Sequence, residues 1–139
     1  MTIAAALLPL FAQVGLTMAL LLWLGRLRVP AVRAGAVHMR DIALGEQHWP
    51  KRALQASNAF SNQFELPVLF YVAVLIAIVA DAVSATFVVL SWLFVVSRMG
   101  HALIHITTNN VPRRSFVFAV GFVFLAALWL TLFVSVFLA

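Results

Sequence analysis

Four apolar stretches, each long enough to cross a bilayer as a helix, leave this chain few folds to choose from. A hydrocarbon core about 30 Å thick takes about 20 apolar residues in a helix, and backbone inside it must satisfy its own hydrogen bonds. The stretches run over about residues 3–25, 53–80, 83–107 and 115–138. The first carries only Gln13 and Thr17 as clearly polar residues, and the second contains Glu65 before turning uniformly apolar from Leu66 to Ala80. The third passes through Arg98, and the fourth, from Ser115 onward, has no charge. With 65% hydrophobic and 9% charged residues in 139, and a mean hydropathy of +1.09, the composition suits lipid rather than water. The expected fold is all-α: an integral membrane four-helix bundle forming one domain over residues 1–139. Cysteine is absent, which excludes disulfides, thiolate metal sites and a cysteine nucleophile. Any thiol chemistry must then use a thiol brought by a substrate.

The connections orient the bundle. Arg26, Arg28, Arg33, Arg40, Lys51 and Arg52 stand against only Asp41 and Glu46 in the long loop 26–52, and Arg113 and Arg114 occupy the loop 108–114. Both loops fall on one side. The other side holds both termini and a tight turn at Asp81-Ala82, without lysine or arginine. The positive-inside rule makes the two basic loops cytoplasmic and points both termini outward; in a bacterium the chain would sit in the inner membrane. The N-terminus lacks the basic n-region of a cleaved signal peptide, so the first stretch is read as a retained span. The net charge of +5 belongs to this topology rather than to a phosphate-tracking surface, and no nucleic-acid partner is expected.

Polar residues inside the spans are not scattered. Gln55, Asn58, Asn62 and Glu65 are spaced to share one face of the second helix, and Ser91, Arg98, His101, His105 and Thr108 to share one face of the third. At about 1.5 Å per residue, Arg98 lies about 16 Å from Asn109 and Glu65 about 20 Å from Arg52, so the two charges reach comparable depth. A charge near mid-bilayer costs about 2.5–3.5 kcal/mol on insertion scales, and the two stripes are expected to face each other around a polar site. Pro67 deprives the Gln63 carbonyl of its usual donor and should kink the second helix just beyond Glu65. A purely structural Glu65–Arg98 pair that sets helix register is the plain alternative, but one pair does not require the amides and histidines beside it. His101 and His105, at i and i+4, have no cysteine or second histidine pair with which to complete a metal or haem site, and no metal is expected. Trp23 and Trp49 suit the interfacial belt, and Arg113-Arg114, taken alone, suits a topology signal beside anionic lipid.

Asn62-Gln63-Phe64-Glu65-Leu66-Pro67, then Arg98-Met99-Gly100-His101, then Pro112-Arg113-Arg114-Ser115 together resemble the MAPEG family, the membrane-associated proteins in eicosanoid and glutathione metabolism. The resemblance covers nearly the whole chain in helix number, order, spacing and loop asymmetry. It implies a left-handed four-helix bundle assembled as a homotrimer, with glutathione as co-substrate bound between neighbouring subunits towards the cytoplasmic side. By position, Asn62 and Glu65 would hold the γ-glutamyl amine end, with Asn58 on the same stripe. Arg26, Arg98 and His101 would lie near the carboxylates and backbone of the tripeptide, with His105 one turn on. Arg114 and Ser115 would be the catalytic residues at the thiol. A guanidinium at a helix N-terminus favours thiolate over thiol on physical grounds alone.

The departures narrow the activity. Eicosanoid-forming members commonly have arginine where this chain has Ser61, a tyrosine where it has His105, and another where it has Phe118. Losing an arginine and two hydroxyls argues against eicosanoid synthesis. Two classes of function stand. One is an enzyme that conjugates glutathione to a lipophilic electrophile, or reduces a lipid hydroperoxide with it, with the bilayer as the source of the lipophilic partner. The other is non-enzymatic: a membrane scaffold or binding protein, or, ranked third, a small proton-coupled exporter that titrates Glu65.

Overall fold

In a computed structural model, which describes residues 1–45 and 48–138, the chain is all-helical. Glu46, counted above among the loop charges, lies outside the described residues. Helix α1 spans Ile3–Arg33, α2 Lys51–Ser61, α3 Leu66–Val79, α4 Ala85–Ile106 and α5 Val111–Phe137. A single 3₁₀ turn, Asn62–Phe64, joins α2 to α3, and the pair forms one span, Lys51–Val79. Four helices are thus long and apolar enough to cross a membrane, and the protein is a multi-pass integral membrane protein.

Helix α1 outruns the expected span. Its 31 residues rise about 46 Å, well beyond a hydrocarbon core of about 30 Å. Arg26, Arg28 and Arg33 therefore lie on helix rather than in a loop, because leucine and arginine both propagate a helix, which continues through Pro30 to its cap at Ala34. There the chain turns through Gly35 (φ 72°), with Ala36 N–H donating to the Ala31 carbonyl at 3.0 Å and Gly35 N–H to that of Val32 at 3.1 Å. Asp81 (φ 51°) closes α3 in the same way, with Ala82 N–H bonding the Ala77 carbonyl at 2.8 Å. Ser84 then caps α4 through Phe87 N–H at 3.1 Å, and the tight turn at Asp81-Ala82 has its physical cause.

Span two is not a kinked helix but a helix that ends and restarts. Pro67 takes an N-terminal position of α3, where its missing N–H costs nothing. The chain before it narrows to 3₁₀ and leaves Glu65 in a non-helical conformation (φ −98°, ψ −107°). Gln63 faces inward at this break. Its Oε1 accepts from Gln13 Nε2 of α1 at 2.8 Å, and its Nε2 donates to the Ala59 carbonyl at 3.1 Å.

Helix α4 sits at the centre, packing on α1, α2 and α5. One hydrophobic cluster joins Phe70, Ala73 and Ala77 of α3 to Phe87 and Phe94 of α4 and Leu125, Leu128 and Leu132 of α5, with the Phe70 and Phe94 rings 5.0 Å apart. A smaller cluster of Leu20, Ala59 and Ala102 lies nearer the basic end, and Val37, Trp49 and Ala53 pack beneath the long loop. Close approach of α4 and α5 depends on Gly121, where a Cβ would lie 2.7 Å from Ser97 Oγ. Outward-facing Phe11, Leu22, Val96, Phe122, Val123 and Leu130 are exposed, as lipid contact requires.

Candidate functional site

The last helix begins earlier than its apolar run. Asn110 accepts from Arg113 N–H through Oδ1 at 3.0 Å and so caps α5 ahead of Val111 and Pro112, residues suited to a first turn. Arg114 and Ser115 then stand on the helix near its N-terminus rather than before it. The Arg114 side chain is steered by Asn109, whose Oδ1 accepts from Nη1 at 2.6 Å. Asn109 is itself in the left-handed region (φ 48°), a conformation asparagine tolerates better than most residues.

Between this helix start, the end of α2 and the last turns of α4 lies a cavity of about 250 Å³, lined by Asn62, His101, His105, Arg114, Ser115 and Phe118. Five of the nine residues singled out in the sequence meet there. Phe118 was noted only as a departure from tyrosine, yet it forms one wall: the His101 ring lies 5.8 Å from its ring, and the Arg98 guanidinium carbon lies 5.7 Å from the same ring.

Glu65 and Arg98 do not pair directly. Asn62 stands between them, its Nδ2 donating to Glu65 Oε2 at 2.9 Å and its Oδ1 accepting from Arg98 Nη2. The two charges also differ in exposure. Arg98 is 0% exposed, and its Nε and Nη1 are sealed without a hydrogen-bond partner; Glu65 is exposed beside the helix break. Arg98 therefore acts on the cavity from behind, by holding the Asn62 amide and standing over Phe118, rather than as a lining residue. Asn58, one turn before Asn62, is exposed and does not line the cavity. Arg26 is farther still, exposed on a face of α1 whose shallow depression is lined by α1 residues alone.

Both histidines are buried, His101 to 3% and His105 to 6% exposure, and their rings meet edge to face at 5.6 Å. Among the described residues no group of three or more histidine, cysteine or acidic side chains is placed to hold a metal ion. The Gln13–Gln63 pair is the polar contact that spacing did not single out. It is buried at 0% and 1% exposure, and the sequence hints at it only through Gln13, which interrupts an apolar run, since Gln63 stands among the polar residues Ser61, Asn62 and Glu65.

Residues 6–134 match the model of the MAPEG family. The chain belongs to that family. No curated protein and no solved structure matches it. Membership makes it a membrane protein of the glutathione and eicosanoid metabolism family, whose members generally use glutathione. The cavity residues Asn62, His101, Arg114 and Ser115 fall within the matched range and within the three short motifs quoted from the sequence.

Proposed function

We propose that this MAPEG chain is a glutathione-dependent enzyme that conjugates the tripeptide to a lipophilic electrophile held in the bilayer. The supporting observation is the convergence of Asn62, His101, His105, Arg114 and Ser115 on one cavity at the basic end of the bundle. Glutathione is a small anion with one ammonium group. Glu65, held by Asn62, offers the carboxylate for that ammonium, and Arg114 offers charge to the sulfur, reinforced by the partial positive charge at the start of α5. Ser115 supplies a hydroxyl hydrogen bond beside it. In this reading the sulfur attacks carbon, the leaving group departs, and the arginine holds the sulfur anion until the bond forms. Reduction of a lipid hydroperoxide to the alcohol and water, at the expense of two thiols joined as a disulfide, uses the same bound thiolate.

The arrangement further assumes that the basic loops face the cytoplasm, so that the water-soluble thiol enters at the basic end. It also assumes a homotrimer, in which Arg26 reaches the site of a neighbouring copy. Calorimetric titration of detergent-solubilised protein with glutathione should give saturable binding in the millimolar range or tighter. A generic electrophile should be conjugated faster than in buffer. Arg114→Ala should lower turnover by about 10²-fold while weakening binding much less. Saturable binding with no turnover for any electrophile supports a non-enzymatic binding protein, and absence of binding across millimolar glutathione removes the enzyme reading.

A further inference from the structure

Each histidine of the cavity presents one ring nitrogen to it. Nδ1 of His101 and Nδ1 of His105 are sealed in the protein without a hydrogen-bond partner. Among the described residues, neither Nε2 is sealed in this way and neither ring is held by a hydrogen bond, and both residues line the cavity. An imidazole that carries its hydrogen on Nδ1 has a free lone pair on Nε2, so each ring can accept a proton from whatever fills the space.

The two rings are not equivalent. His101 is the deeper, set against Phe118, over which Arg98 also stands, whereas His105, one turn nearer the end of α4, lines the cavity with Arg114. His105 is also one residue from the end of α4 at Ile106, and the following Thr107 and Thr108 are exposed. It therefore lines the same cavity as the arginine proposed to meet the sulfur, close to the exposed end of α4. Among the described residues, the charged and titratable groups that bear on it are His101 and Arg98 on its own helix and Arg114 on α5.

We propose that His105 takes the proton of the bound thiol through Nε2, so that Arg114 stabilises a thiolate formed within the site. This rests on the glutathione reading above. The S–H bond breaks, sulfur keeps the electron pair, and the proton passes to Nε2. An imidazolium beside Arg98 and Arg114 is disfavoured by two like charges, so the proton moves on to water past Thr107 and the ring returns to neutral. The balance is one proton released to solvent for each thiol ionised. A tyrosine at this position could hydrogen-bond the sulfur but would not accept its proton at neutral pH.

The test compares wild-type protein with His105→Gln and His105→Tyr, each titrated with glutathione and with S-methylglutathione, which has no thiol proton. Calorimetry in buffers of different ionisation enthalpy counts the protons released, and ultraviolet absorbance follows the thiolate. Wild type should release close to one proton per glutathione more than per S-methylglutathione. The His105 variants should bind glutathione within a few-fold of wild type and reach a similar proton count at equilibrium, but form the thiolate about 10²-fold more slowly in stopped-flow absorbance, with recovery as the pH is raised. Thiolate formation at the wild-type rate in both His105 variants overturns the proposal while leaving the glutathione reading in place. Loss of glutathione binding in both variants also overturns it, because His105 would then be a binding residue. A wild-type protein that binds no glutathione removes the underlying reading and this inference together.

Discussion

Removing the Asn62 side chain leaves Arg98 with no hydrogen-bond partner among the described residues, since Nη2 bonds Asn62 and the other two guanidinium nitrogens have none. A hydrogen bond to a buried charge is worth about 1.5–3 kcal/mol, so Asn62→Ala should destabilise the bundle by about that amount in thermal unfolding in detergent. Glu65→Gln is a different test. Glu65 is exposed, a glutamine oxygen can still accept from Asn62 Nδ2, and the expected change in stability is within about 0.5 kcal/mol. Loss of ligand affinity without loss of stability would place Glu65 in recognition. A destabilisation matching that of Asn62→Ala would instead make the three residues a structural relay. Periodicity brought these side chains to one face and one depth, but the bridging role of Asn62 was not legible. Spacing along a helix fixes which residues share a face, and it does not say whether two long side chains meet or an amide stands between them.

At the scale of the element, the break at Glu65 sets how the site is presented, and two glutamines hold it. Gln13 and Gln63 are fifty positions apart, so no local pattern reveals their contact. Gln63→Leu should strand the Gln13 amide in the core at a cost of about 1–3 kcal/mol, whereas Gln13→Leu with Gln63→Leu should recover most of it, because replacing both partners by apolar groups is close to neutral. A double-mutant cycle on unfolding measures the coupling; additive single effects would mean that the pair does not hold the break. The same break explains why a mid-helix proline was read as a kink. Pro67 is compatible with a fresh helix start as well as with a bent helix, and the inward turn of Gln63 accompanies the first. The limits of α1 and α5 were misjudged for a related reason: hydropathy ends where charge begins, but a helix ends at a cap. The caps here are Gly35 and Asn110, each beyond a run of arginine or proline that hydropathy discounts.

For the whole molecule, the position of Arg26 sets the sharpest demand. It stands on the outward face of α1, apart from the cavity that collects Asn62, His101, His105, Arg114 and Ser115. If Arg26 contributes to the site at all, another copy must supply it, and a closed cyclic trimer places one subunit's outward face against the next subunit's site three times over. Arg26→Ala and Arg114→Ala should then each abolish most of the conjugation activity when purified alone. Mixed in equal amounts and reassembled, they should regain it in part. A site is intact only where a subunit with native Arg114 meets a neighbour with native Arg26, which holds for roughly a quarter of sites under random assembly into cyclic trimers. Recovery near that fraction, with a particle mass of three copies by native mass spectrometry, supports a shared site. If Arg26→Ala alone retains full activity, the basic extension of α1 serves topology only, and the cavity of a single subunit must do all the binding. If both variants are inactive and mixing restores nothing, Arg26 acts within its own chain, and the exposed face of α1 has to be explained by contact with lipid.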